Sequence, residues 1–376
     1  MAEAPLVGLK VVELARILAG PWAGQTLADL GAEVIKVESP EGDDTRRWGP
    51  PFIAYPDGGQ DAAYFHAANR GKRSVVADFT TIEGQAEVRA LIAGADVVIE
   101  NFKVGGLVKY GLDYASLAAI NPGLIYCSIT GFGQDGPYAA RAGYDFIIQG
   151  MSGIMDLTGD PQGEPQKIGV AYADILTGLY SVIAIQAALA QRARTGRGQH
   201  IDMALFDVMA ATLANQAMNF LVGGEPPARM GNAHPNIAPY AVFPCSDGWF
   251  ILAVGNDGQF RRFCDLVGIV PDPQFATNAL RLANRDALAR VIGAATGVWA
   301  KGPLLEALAA AGVPAGPINR VDEAFADPQL VHRGLARSFH GDGYKVPGLR
   351  TPIIFSDAEL ALETASPRLG TVVAAE

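Results

Sequence analysis

Lys10-Val11-Val12-Glu13-Leu14, Ala32-Glu33-Val34-Ile35-Lys36-Val37, Arg73-Ser74-Val75-Val76-Ala77, Asp96-Val97-Val98-Ile99 and Leu124-Ile125-Tyr126-Cys127-Ser128-Ile129 repeat one theme along the first third of the chain. Each is a short β-branched apolar run followed by a helical or loop segment. Runs without strict polar alternation predict strands covered on both faces, the mark of a parallel sheet. Val88, Leu91 and Ile92, at helical spacing, supply part of the cover. The expectation is an α/β fold built on an open, doubly wound sheet.

The chain around these runs has 376 residues, 49% of them hydrophobic, and a net charge of −10. Its length allows two or three domains. The acidic balance argues against nucleic acid and anionic lipid as partners. The most apolar stretch, Ile175 to Leu189, follows Asp174, contains Gly178 and Gln186, and is shorter than the roughly 20 residues a bilayer needs, so a buried core helix is expected rather than a membrane span. That helix should begin near Asp174 and end at Gly196, with Arg192 and Arg194 in its last turn, where cations suit the helix dipole. The start, Met1-Ala2-Glu3-Ala4-Pro5, has neither the basic region nor the long apolar run of a secretory signal, so a cytoplasmic protein is expected. Cys127, Cys245 and Cys264 are scattered and odd in number, which predicts reduced, buried thiols rather than a disulfide framework or a zinc site.

Gly, Pro and aromatic residues dominate between Trp48 and Gln60, and glycine recurs from Gly131 to Gly153; both stretches read as long loops of the kind that carry function. Gly223 to Pro227 reads as a linker into a smaller α+β unit, giving residues 1–222 as the first part of a large domain and 223–320 as a small one. Its features are a hairpin from Tyr240 to Gly255, turning at Asp247-Gly248, and helices around Asp257 to Leu266, Arg285 to Ile292 and Pro303 to Ala311. Residues 321–376 are expected to return to the large domain.

Gly131-Phe132-Gly133-Gln134-Asp135-Gly136 has the spacing of a dinucleotide-binding loop, but it follows the fifth strand rather than the first, and Pro137 comes immediately after it. A glycine-rich active-site loop is the better reading. His66, His200, His234, His332 and His340 never pair at metal-ligand spacing, and no nucleophile elbow or phosphate loop is present, so neither a metal nor serine hydrolysis is indicated. Among the histidines, His234 in Gly231-Asn232-Ala233-His234-Pro235 has the best loop context. The most unusual placement is Asp174, a carboxylate between apolar residues at the start of a hydrophobic helix. It could be a helix N-cap. Spacing favours that reading, but a poorly hydrated, ionised nucleophile stabilised by the helix N-terminus makes physical sense too.

Several segments together resemble the family III CoA-transferases, the carnitine and bile-acid type. They are Val12-Glu13-Leu14-Ala15-Arg16 with Ala19-Gly20-Pro21, the run from Leu27 to Glu38, Asn69-Arg70-Gly71-Lys72-Arg73-Ser74, Glu100-Asn101-Phe102, Ile129 to Gln134, Arg194 to Gln199, Gly312 to Pro317, and Val346-Pro347-Gly348. The resemblance implies a large Rossmann-like domain, a small domain, and a homodimer of two chains threaded as interlocked rings. It implies that Asp174 is the nucleophile, acylated as a mixed anhydride and then carried as an aspartyl-CoA thioester. CoA is then a substrate, no cofactor is held permanently, and the partners are an acyl-CoA and a small carboxylic acid. Backbone N–H groups of the glycine-rich loops are expected to stabilise the tetrahedral oxyanions.

By the same resemblance Ile17, Lys72, Arg73, Asn101, Phe102 and Lys109 should contact CoA. One branch of the family, the acyl-CoA racemases, carries a Gly-His-Asp segment with a histidine base. Here the segment reads Gly143-Tyr144-Asp145, and a tyrosine with a pKa near 10 is a poor base, so racemase or epimerase activity is the runner-up. Asp43-Asp44-Thr45-Arg46, Trp48-Gly49-Pro50-Pro51-Phe52 and Ala142-Gly143-Tyr144-Asp145 look closest to succinyl-CoA:dicarboxylate transferases, the glutarate type included. Arg16 and Arg46 are then expected to clamp the distal carboxylate, with Tyr144 and His234 also binding substrate. After Arg368-Leu369-Gly370 the family pattern continues with an acidic, histidine-containing segment and a helix. This chain ends at Glu376, a departure that bears on the dimer contacts that tail would make.

Overall fold

The computed structural model describes residues 3–371; residues at both ends on which the readings of the chain start and the short tail rest lie outside it. Six strands form one parallel sheet: β1 (Lys10–Glu13), β2 (Glu33–Glu38), β5 (Lys72–Val76), β6 (Val97–Glu100), β7 (Ile125–Thr130) and β8 (Gln199–Ala204). A short antiparallel ribbon, β3 (Phe52–Ala54) with β4 (Gln60–Ala62), is inserted between β2 and β5. The sheet order is β5-β2-β1-β6-β7-β8. The chain therefore works outward from β1 on one side, then restarts beside it with β6. That reversal opens a crevice beyond the carboxyl ends of β1 and β6, where open α/β sheets bind ligands.

All five expected strands are present, with consecutive residues serving opposite layers. Val11, Val97, Ile99, Ile125 and Cys127 pack under the helices Ala19–Asp29 and Tyr172–Thr195, while Val12, Val98 and Tyr126 pack on the other face with Val88 and Ile92 of the helix Ile82–Ala93. The sixth strand, β8, was not anticipated. It lies at the sheet edge with alternate residues turned outward, so it lacks the apolar run that marks its neighbours.

The long helix starts two residues before Asp174 and closes on Gly196 at φ 69°. Over an 18-residue window its mean hydropathy is 1.5, long and apolar enough to cross a membrane. The length argument made from the sequence therefore does not hold. What makes it a core helix is packing: Ala173, Val182, Ile185 and Ala188 are buried in the sheet core.

The chain divides into two compact units, residues 1–154, 167–225 and 328–376 forming the first, and 155–166 and 226–327 the second. The expected boundaries at 223 and 321 thus move to 226 and 328, and an excursion at 155–166, which nothing in the composition signalled, is added. The second unit is α+β. Its sheet, β9 (Tyr240–Cys245), β10 (Gly248–Ala253) and β11 (Ala315–Pro317), is antiparallel and carries a core with Phe263, Ile292, Leu304 and Leu308 from its helices. The returning segment of the first unit forms a hairpin, β12 (Ala336–Gly341) with β13 (Tyr344–Leu349).

Candidate active site

A cavity of about 690 Å³ occupies the crevice at the strand ends, lined entirely by residues of the first unit. Its floor is the loop after β1 and the loop after β6. These two are locked together: Asn101 accepts from the Arg16 N–H at 2.9 Å and donates to the Arg16 carbonyl at 2.7 Å. Glu100, buried at the end of β6, accepts from the Phe102 N–H at 2.7 Å and fixes the turn that presents Asn101 and Phe102. Ile17 sits at φ +71°, a left-handed conformation that is strained for a β-branched residue. Its N–H donates to Asp43 at 3.2 Å, and Asp43 is itself held by Lys36 at 2.9 Å, so the strain is imposed by partners on two neighbouring segments.

Asp174 stands half-buried in the wall of this cavity, in the first turn of the long helix. It is not the N-cap. Ala171 occupies that position without a side-chain bond, and the capping is supplied from elsewhere in the chain. Asp145 accepts from the Ala173 N–H at 2.8 Å and from the Asp174 N–H at 3.4 Å, while its other oxygen accepts from Gln149 at 2.8 Å. The Asp174 carboxylate accepts no hydrogen bond from the described residues. Burial, and secondarily the charge of Asp145, push its pKa up to about 7. Against the expectation that the helix N-terminus keeps it ionised despite desolvation, the first-turn N–H groups of Ala173 and Asp174 are bonded to Asp145, and burial raises the Asp174 pKa. Tyr64, half-buried and edge-on to Trp48 at 5.3 Å, is kept a neutral phenol by burial and by the charges of Asp174, Asp145 and Asp43.

The sequence-predicted residues divide sharply. Ile17, Asn101, Phe102, Lys109, Arg16, Tyr144 and Asp174 all line the cavity. Lys72 does not. It is fully buried with Glu13 at 2.8 Å, donates to Asn69 and the Pro21 carbonyl, and is pushed down to about 8 by burial, so it cannot reach a phosphate in solution. Arg73 pairs with Glu33 near the amino ends of the strands, away from the crevice. Arg46 is also corrected. It is 5% exposed, forks onto both oxygens of Glu38, reaches Asp61 at 2.6 Å and stacks on Phe65 at 3.7 Å, which leaves nothing to clamp a substrate. His234 belongs to the second unit, where its Nδ1 accepts from the Asn236 N–H.

Two donors of the glycine-rich loop likewise turn inward. The Gly133 N–H meets Thr130 and the Gln134 N–H meets Asp202, so neither is available for an oxyanion. What glycine provides here is close approach. Gly131 and Gly143 lie back to back, and a Cβ on Gly131 would come within 2.4 Å of the Gly143 backbone. Three residues of the cavity were quoted in motifs or passed over without a role: Asp145, Arg141 and Asp44. Only their position on the strand-end loops could have singled them out. Among the described residues, no group of three or more His, Cys, Asp and Glu side chains converges as metal ligands would.

A cavity at the switch point of a parallel sheet, with a carboxylate in its wall that accepts no hydrogen bond and a side-chain-to-backbone clamp across its floor, is the arrangement of a ligand-binding α/β enzyme. The chain belongs to CoA-transferase family III, whose model matches residues 6–372. The succinate–glutarate CoA-transferase of Agrobacterium fabrum is 61% identical over 372 residues, spanning 97% of this chain and 93% of that protein. The human succinyl-CoA:glutarate CoA-transferase is 42% identical over 335 residues, 88% of this chain and 75% of its own length. Among solved structures, a CAIB/BAIF family protein from Brucella suis is 67% identical, covers 98% of this chain and 97% of its own, and superposes with a TM-score of 0.89.

Proposed function

We propose that this CoA-transferase moves CoA between succinate and a short dicarboxylate, glutarate foremost, with Asp174 as the covalent nucleophile. The observation that carries the mechanism is the Asp174 carboxylate itself: half-buried, without a donor, on the wall of the strand-end cavity. The names of its relatives support the choice of acids. Asp174 attacks the thioester carbonyl of succinyl-CoA and expels the CoA thiolate, forming a mixed anhydride. The thiolate then attacks the aspartyl carbon and releases succinate, leaving an aspartyl-CoA thioester. Glutarate attacks that thioester, and the thiolate returns to the glutaryl carbon of the new anhydride, regenerating Asp174. Every intermediate is an activated acyl group, so the exchange proceeds without ATP. CoA enters and leaves as a substrate. Asn101, Phe102, Lys109 and the Arg16-Ile17 backbone, which line the cavity from its floor, are its contacts in this reading, and Tyr144 faces the acyl group.

The same reading makes the enzyme a cytoplasmic homodimer of interlocked chains. Asp174→Ala should abolish transfer from succinyl-CoA to glutarate while leaving CoA binding by calorimetry largely intact, because the nucleophile is lost and the CoA contacts are not. In the unaltered enzyme, hydroxylamine or borohydride trapping during turnover should mark the peptide that contains Asp174. Substantial transfer by the alanine variant would overturn the mechanism.

A further inference from the structure

A dicarboxylate that reacts through one end carries a second charge into a cavity already lined by Asp44, Asp145 and Asp174. Repulsion from these carboxylates has to be offset by a cation that is not already committed. Arg46 is excluded by its burial against Glu38 and Asp61. Arg16 belongs to the CoA-contacting loop and is engaged by Asp44 at 3.1 Å, an exposed pair that is weak and yet reduces its free charge toward a second anion. The cavity's remaining cations are Lys103, Lys109 and Arg141. The two lysines lie on the loop that continues from Asn101 and Phe102, the floor read above as contacting CoA. Arg141 lies on a separate segment, the one that runs through Gly143 and Tyr144 to Asp145, the residue that caps the Asp174 helix.

Arg141 is also prepared for the task. Its N–H closes a tight turn onto the Tyr138 carbonyl at 2.8 Å, and its guanidinium lies over the Tyr138 ring at 4.0 Å, with that ring edge-on to Phe132 at 5.5 Å. Stacking fixes the plane of the guanidinium while leaving its N–H edges unspent. Among the described residues it forms no ion pair and donates no side-chain hydrogen bond. We infer that Arg141 receives the distal carboxylate of the dicarboxylate, in the free acid and in the succinyl arm of succinyl-CoA alike, and so sets the substrate class. This rests on the transferase reading of the same cavity.

The test separates the two. In the Asp174→Ala background, where no turnover occurs, Arg141→Ala should weaken succinyl-CoA about 30- to 100-fold and leave free CoA unchanged, as expected for losing one charge-assisted bidentate contact. Arg141→Lys should recover only part of the loss, since a point charge cannot form the fork. With Asp174 present and succinyl-CoA held saturating, kcat/KM for glutarate should fall similarly in Arg141→Ala while that for pentanoate stays within about threefold. Arg141→Glu should in turn favour 5-aminopentanoate over glutarate. Equal weakening of free CoA and succinyl-CoA would assign Arg141 to the CoA phosphates and overturn the inference, as would unchanged affinity for both. Absence of transfer by the unaltered enzyme would instead overturn the transferase reading, and the binding arm would still decide whether Arg141 meets the succinyl carboxylate.

Discussion

At the level of single residues the proposed mechanism turns on whether Asp174 is ionised. Attack requires the carboxylate, and its pKa is pushed up to about 7, so kcat/KM for the acyl-CoA should rise with pH through that region and fall on the acid side. Asp145→Asn retains an oxygen for the Ala173 N–H, at the cost of its bond with Gln149, but removes the neighbouring negative charge. The midpoint of the pH profile should then move to lower pH, by less than the full distance to an ordinary aspartate because desolvation is the larger cause. An unmoved midpoint would show that Asp174 does not feel Asp145. Asp174 stood out in the sequence as a lone carboxylate among apolar helix residues, but spacing alone favoured a helix N-cap, and only the family resemblance pointed to a nucleophile; the cap is in fact Ala171. Arg46 was misread for a different reason. Its partners Glu38 and Asp61 lie on other segments, and nothing in the local sequence says that those segments close around it. The same holds for Lys72, whose counter-charge Glu13 is on another strand.

At the level of elements, what positions Asp174 is the close packing of two helices. A Cβ on Gly178, one turn beyond Asp174, would meet the Ala19 carbonyl at 2.7 Å and Trp22 at 3.1 Å. Gly178→Val should therefore push the Tyr172–Thr195 helix away from Ala19–Asp29 and shift Asp174 against the Arg16-Ile17 loop. We expect a loss of about 1–3 kcal/mol in urea denaturation and a larger proportional fall in kcat than in CoA affinity. Equal kcat in a destabilised variant would show that the helix contact does not place the nucleophile. Beneath these helices, Glu13 binds Lys36 at 3.1 Å and Lys72 at 2.8 Å with all three groups fully buried. Breaking such a cluster costs about 3–5 kcal/mol, whereas the exposed Arg73–Glu33 pair at 2.6 Å is worth about 0.2–1 kcal/mol. The similar hydrogen-bond lengths conceal that difference; burial decides it. Strands and the long helix could be read from apolar runs and end signals. The helix Asp145–Met151 could not, because it sits in a glycine-rich stretch whose composition favours a loop.

At the level of the whole molecule, the first unit leaves large apolar side chains in solvent: Ile183 is 62% exposed, Leu221 71% and Val222 80%. Met218, Phe220, Leu221 and Val222 are exposed within one short helix, Ala214–Gly223, and clustered apolar surface of this kind marks association sites. They support the proposed homodimer, and light scattering on a dilution series should return twice the chain mass throughout, since threaded chains cannot part without unfolding. A monomer at low concentration would refute the ring arrangement. The family pattern made the dimer an expectation, but no apolar run in the sequence shows which helix faces stay uncovered, because exposure depends on what the rest of the chain fails to reach.

The returning segment also ties the end of the chain to its beginning. The Gly71 N–H meets the Thr364 carbonyl, the Ala361 N–H meets the Asp29 carbonyl, and Arg46 donates to the carbonyl of Pro367. Three of the donors and acceptors that complete the amino-terminal sheet region thus follow the whole second unit in the order of synthesis. During synthesis the early strands can pair long before these bonds are possible, so the nascent first unit has to wait, incompletely closed, while the whole second unit emerges.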